Sequence, residues 1–168
     1  TKYHNLSEYN SQSLPDATSY RVAIVVSEWN DNITHALLDG AYQTLVKNGV
    51  KEENIFVDFV PGAFELTFGA KKMAENLSCD AIIGLGCIIR GETPHFEFIA
   101  QGVTQGFVQL NVKYNIPFIF GVFFLFPVAS TTVFVSNLFF SVVTLNQGCS
   151  ISIFITSSFF TSIPKFLA

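Results

Sequence analysis

Three short segments of this 168-residue chain combine residue types and spacings suited to chemistry: Glu28-Trp29-Asn30-Asp31, Pro61-Gly62-Ala63-Phe64-Glu65 and Ile88-Ile89-Arg90-Gly91-Glu92-Thr93-Pro94-His95. Trp29 is the single tryptophan and lies in a polar stretch. A large flat ring there suits stacking on a planar heterocycle, the competing reading being a ring that caps a sheet edge. Small residues at Pro61-Gly62-Ala63 let a ligand approach the backbone closely. Glu65 fits a helix-start acid or an acceptor for a polyol. Gly91-Glu92-Thr93 precedes a stretch of helical period, so free backbone N–H groups there form an anion site suited to a phosphate. Arg90 either adds positive charge to that site or serves as a structural ion-pair partner. His95 falls in the first turn of the same helix, where the positive end of the dipole favours the neutral imidazole, which can both accept and donate a proton. His4 and His35 take no role.

These segments need elements to position them, and the pattern supplies them. From Arg21 onward, short apolar β-branched runs alternate with longer segments of helical period, the signature of βαβ units around a parallel sheet. Strands are predicted at Arg21–Ser27, Ile55–Val60, Ala81–Cys87 and Phe118–Val122. Between the first two, Ile33, Leu37, Ala41, Thr44 and Leu45 form one helical stripe that Asn48-Gly49 stops. A second helix is predicted from about Phe64 to Asn76. A third runs roughly from Pro94 to Tyr114, with Thr93 as N-cap, Pro94 at the first helical position and Pro117 enforcing the end. In open parallel α/β sheets ligands bind beyond the carboxyl ends of the strands. The three reactive segments follow three of the strands, so they are expected to converge on one edge.

Composition bounds the partners. The net charge is −4, and all 13 carboxylates and 8 of the 9 basic residues lie in residues 1–121. That balance supplies no basic face for phosphate neutralisation, so no nucleic-acid partner is expected. Cys79, Cys87 and Cys149 have neither metal-ligand spacing nor the even count of a disulfide framework, which points to a reduced, cytoplasmic setting with no metal. Residues 1–20 read as a flexible, polar arm without the features of a secretory signal. Residues 21–121 read as the core domain. Residues 122–168 contain only Lys165 as a charged group and 10 of the 19 Phe, and read as an apolar Phe/Ser-rich tail.

The three loops, in this order and spacing, resemble the lumazine synthase family. The matching stretches are VVSEWN at 25–30, GVKEENI at 49–55, VPGAFEL at 60–66, DAIIGLGCIIRGETPHFEFI at 80–99, GVTQG at 102–106 and IPFIFGV at 116–122. The resemblance implies a flavodoxin-like three-layer α/β sandwich with a four-stranded parallel sheet. It also implies the cofactor-free condensation of 5-amino-6-(D-ribitylamino)uracil with 3,4-dihydroxy-2-butanone 4-phosphate to 6,7-dimethyl-8-ribityllumazine in riboflavin biosynthesis. By the same resemblance Trp29 stacks on the pyrimidine, and Ala63, Phe64 and Glu65 bind the ribitylaminouracil, with Glu65 reaching the ribityl hydroxyls. Cys87, Ile88 and Ile89 line that substrate, and Phe120 contributes from a neighbouring subunit. Glu92 and Thr93 bind the butanone phosphate, and His95 transfers protons. The implied partners are these small molecules, further copies of the chain in a pentamer or sixty-subunit shell, and riboflavin synthase.

Beyond Val122 the resemblance stops. The family continues into two charged helices that carry an Arg for the butanone phosphate, and the position that aligns with it without gaps is Phe134. The family's C-terminal helices are therefore expected to be replaced. The 51 uncharged residues between Lys113 and Lys165 raise a membrane segment, but Pro127 and many Ser, Thr and Asn interrupt every apolar run before about 18 residues. Strands in place of helices would leave a Phe-rich surface exposed. The favoured reading is a non-homologous C-terminus of the kind a frameshift or read-through produces. A different class of function follows from the missing Arg: a non-catalytic module that binds lumazine or flavin-like ligands.

Overall fold

A computed structural model describes residues 16–126 together with 142–145 and 149–152. Its centre is a sheet of four parallel strands in the order β2-β1-β3-β4, with β1 at Val22–Ser27, β2 at Ile55–Val60, β3 at Ala81–Ile89 and β4 at Phe118–Leu125. Helices α1 (Asp31–Lys47), α2 (Leu66–Asn76) and α3 (His95–Lys113) connect them in alternation.

Residue alternation along the strands explains the three layers. Val22, Ile24 and Val26 of β1, with Ile83, Leu85 and Cys87 of β3, face Leu37 and Leu45 of α1. The intervening Ala23, Val25, Ile82 and Ile88 face Leu66, Ala70 and Met73 of α2 and Val103, Phe107 and Leu110 of α3. A sheet buried on both faces needs continuous apolar runs, which VAIVVS and AIIGLGCII supply. The predicted stripe of α1 is borne out, with Leu37, Thr44 and Leu45 buried and Ile33 and Ala41 packed at its margin. Its stop is also as expected. Gly49 takes φ 99°, which suits a residue without Cβ, and the N–H groups of Gly49 and Val50 donate to the carbonyls of Val46 and Leu45 at 3.0 Å each.

Several boundaries differ from the sequence reading, each for a local reason. β3 runs two residues past Cys87 and β4 three past Val122, because the pairs Ile88↔Phe124 and Ile89↔Leu125 extend the ladder. Val122 and Phe123 are buried, so the core sheet continues past the boundary expected at residue 121. At α2, residues Ala63–Glu65 form a 3₁₀ turn before the helix proper. Thr93 does not cap α3: the N-cap is Pro94, without a side-chain cap bond, and helical geometry begins at His95. Ala17, expected in the flexible arm, is buried against the α1 side of the core.

Residues 1–15, and the tail beyond Phe126 apart from two short strands, lie outside the described residues. Those strands, β5 (Val142–Leu145) and β6 (Cys149–Ser152), pair antiparallel. The position of Phe134 falls outside the description. Among the described residues no helix is long and apolar enough to cross a membrane.

Candidate active site

The β1 and β2 loops meet beyond the carboxyl ends of their strands. The Glu28 N–H donates to the Val60 carbonyl (2.8 Å) and the Trp29 N–H to the Pro61 carbonyl (3.1 Å), so the sheet's register carries on past its last residues. This places Trp29 and Glu65 around Gly62. A Cβ added at Gly62 would lie 3.1 Å from Glu65 Oε2 and 3.8 Å from Cδ2 and Cε3 of the indole. Trp29 is 71 % exposed, which leaves ring surface free for a ligand. An aromatic ring and a carboxylate therefore pack together over the buried backbone of Gly62. Gly62 itself is extended (φ −145°, ψ 176°), so it is required for space and not for conformation. Gly62→Ala is expected to leave the melting temperature nearly unchanged and to weaken ligand binding about three- to tenfold by pushing the Glu65 carboxylate aside, a shift titration calorimetry would measure.

Ala63 is buried beneath this pair. Phe64 turns its ring toward α3, where a Cβ on Gly102 would stand 3.0 Å from its Cε2, so the ring is not directed at Trp29 and Glu65. At the end of β3, Cys87 and Ile88 are buried and Ile89 is 45 % exposed. The Cys87 side chain packs among the α1-side core, and its carbonyl accepts a hydrogen bond from Asn30 Nδ2 at 3.2 Å. Burial pushes the Cys87 thiol up to about 11 and also raises Cys79. Both are accordingly expected to resist iodoacetamide in the native protein at pH 8 and to react once it is unfolded, as mass spectrometry of each cysteine peptide would show. A thiol raised in the fold favours the folded state least at high pH. Stability should therefore be full below the ordinary thiol value of 9.0 and fall as pH rises from there toward about 11.

The third segment sits on the β3–β4 side. Arg90 N–H donates to the Leu125 carbonyl (2.8 Å), and its guanidinium pairs with Glu97 while lying over the rings of Phe96 and Phe126 at 5.5 and 5.7 Å. Of the two roles open to Arg90, the structure shows the ion-pair partner. Phe96 is buried and stacks edge-on to Phe124 at 6.0 Å, which anchors the start of α3 to β4. His95 opens that helix, and Glu92, Thr93 and His95 are all exposed. The first-turn amides of α3 have no side-chain cap bond. Phe120 is not brought to this edge. It pairs with Gly84 part-way along the edge strand β4, and its ring meets Phe107 edge to face at 5.4 Å. Sequence reasoning passed over Asn30, the one non-glycine residue with positive φ among those described (φ 63°). An Asn directly before a helical stripe is the signal that was available, because Asn tolerates the left-handed region better than other side chains.

Residues 19–127 match the 6,7-dimethyl-8-ribityllumazine synthase family. Similar proteins named 6,7-dimethyl-8-ribityllumazine synthase include that of Parabacteroides distasonis, 60 % identical over 121 residues that cover 72 % of this chain and 76 % of the relative. The chain belongs to this family. The Phocaeicola vulgatus enzyme is 54 % identical over 121 residues (72 % of each chain), and that of Porphyromonas gingivalis 52 % over 122 residues (73 % of this chain, 76 % of the relative). Membership agrees with the parallel α/β sandwich of the core. The matched region stops at 127, two residues after β4, and the described part of the core ends one residue earlier, at Phe126.

Proposed function

We propose that this chain condenses 5-amino-6-(D-ribitylamino)uracil with 3,4-dihydroxy-2-butanone 4-phosphate, giving 6,7-dimethyl-8-ribityllumazine, phosphate and water. The observation that carries this reading is the placement of Trp29 and Glu65 around Gly62 at the strand ends, an aromatic plane beside a polyol acceptor. In it the pyrimidine stacks on Trp29, and the ribityl hydroxyls run along Ala63-Phe64-Glu65 and bond the Glu65 carboxylate. The exposed Ile89 closes the side of the site, with Cys87 and Ile88, whose side chains are buried, contributing main chain at the end of β3. The open amides ahead of α3, with Glu92 and Thr93, hold the butanone phosphate, and the Glu92 side chain faces solvent. His95 moves the protons that Schiff-base formation, phosphate elimination and ring closure require, while the site's main contribution is to hold two substrates in one geometry.

The reading includes self-association. Phe64, Phe68 and Phe98 are 56, 62 and 69 % exposed on the single chain, more large apolar surface than an isolated subunit ordinarily leaves in water. Phe120 would serve the site of an adjacent subunit. A pentamer or larger shell, association with riboflavin synthase and a cytoplasmic location belong to the same proposal.

Mixing both substrates with the purified full-length chain and following lumazine absorbance tests it, with light scattering to give the assembly. Turnover by an oligomer supports the proposal. Phe134, where the family carries its phosphate-binding Arg, favours the second reading of a binding-only module. Quenching of Trp29 by the lumazine without turnover would decide for that module.

A further inference from the structure

Three consecutive residues tie the Trp29 loop down, and the third does so in an unusual way. Glu28 and Trp29 bond through their backbone N–H groups to the end of β2. Asn30 turns the chain at φ 63°, ψ 47°, and its amide crosses to the other side, donating to the Cys87 carbonyl of β3 at 3.2 Å. Its own carbonyl accepts from the N–H groups of Ile33 (2.8 Å) and Thr34 (3.1 Å), which starts α1. The left-handed conformation is unfavourable for most L-residues and least so for glycine and asparagine. Glycine would supply the turn and no bridge; most side chains able to reach Cys87 would resist the turn.

The consequence lies one residue back. A chain reversal immediately after Trp29 fixes the direction in which the indole leaves the backbone, and the bridge fixes the reversal against β3. Without it, the loop's only hydrogen bonds to a neighbouring strand run to the β2 side. We infer that Asn30 is a positioning residue, whose amide bridge to Cys87 holds the Trp29 loop across the ends of β1 and β3 so that the indole stands preformed beside Gly62 and Glu65. This deepens, and rests on, the reading of Trp29 as the platform for a planar heterocycle. Its energetic meaning is preorganisation: a ring already in place costs a ligand less ordering on binding.

The test uses the full chain with Asn30→Gly, which keeps the turn and deletes the amide, and Asn30→Asp, which keeps turn and size but faces the carbonyl with an acceptor. Without ligand, hydrogen exchange at the Trp29 amide is expected to quicken about fivefold in Asn30→Gly. The fast component of Trp29 anisotropy decay should grow, while amides in the middle of β1 and β3 stay as protected as before. The Kd for 6,7-dimethyl-8-ribityllumazine, read from Trp29 quenching, is expected to rise about three- to tenfold, and further in Asn30→Asp. Unchanged Trp29 exchange and anisotropy in a folded Asn30→Gly chain overturn the inference. So does a general loss of protection in which the strand centres loosen as much as the loop, since that marks Asn30 as an ordinary part of the fold. A loosened loop with unchanged Kd supports the bridge and removes Trp29 from the binding site, which separates failure of this inference from failure of the functional reading.

Discussion

His95→Ala is expected to lower turnover by about two to four orders of magnitude, the usual contribution of a positioned proton-transfer group, while ribitylaminouracil binding changes little. The separation follows from where the two jobs sit. Trp29, Gly62 and Glu65 are joined to one another through the ends of β1 and β2, whereas His95 opens α3 on the β3–β4 side. Removing the imidazole leaves the first group untouched. It should also leave the fold untouched: His95 is exposed, and the neighbouring Phe96, buried against Phe124, holds the start of α3. A melting temperature equal to that of the parent would then show that lost activity reflects lost chemistry. Single-turnover rates with both substrates saturating, together with a binding isotherm for the ribitylaminouracil, distinguish the possible results. An unchanged rate in an assembled variant removes His95 from the mechanism, and a rate loss matched by an equal loss of affinity makes it a binding residue instead.

The sequence made β1, β3 and β4 legible because both faces of the sheet are covered there, so these strands read as nearly continuous apolar runs. β2 was found to the residue, even though as an edge strand it leaves Val57 and Phe59 exposed. What sequence could not show was where pairing ends. Ile88 and Ile89 look like the beginning of a loop until Phe124 and Leu125 are placed beside them, and β4 looks finished at Val122 until its partner proves longer. The α3 cap was misassigned for a related reason. Thr93 followed by Pro94 carries the usual signal, but the helix begins one residue later, at His95. The strand pattern could place the loops of the candidate site on one edge without showing which side chains meet there. Trp29 and Glu65 are separated by 36 positions and meet only through the backbone bonds of Glu28 and Trp29 to the β2 end, while the role of Asn30 depends on a dihedral angle and a carbonyl of another strand.

Gly84→Ala is expected to be among the most damaging single-methyl additions in the domain, lowering stability by about 1–3 kcal/mol and the melting temperature by roughly 10 °C. A Cβ at Gly84 would stand 2.3 Å from Cζ and 2.8 Å from Cε1 of Phe107, far inside contact distance. Neither neighbour has room to yield. Gly84 is held on both sides of β3, opposite Val25 of β1 and Phe120 of β4, and Phe107 is 2 % exposed with its ring against Phe120. The phenyl ring fills the space that the missing side chain leaves, so the two residues are one packing unit contributed by a strand and a helix. A double-mutant cycle tests this. Phe107→Leu should be destabilising alone, through the cavity it opens, yet partly restore Gly84→Ala, with a coupling energy of about 0.5–3 kcal/mol. Additive losses, or a Gly84→Ala chain that melts with the parent, would show that the sheet and α3 can part at this point. The same geometry links packing to function. β3 carries Cys87 and Ile89 to one part of the candidate site and α3 carries His95 to the other, so forcing them apart at Gly84 should lower ligand affinity and turnover together, unlike the loss of His95 alone.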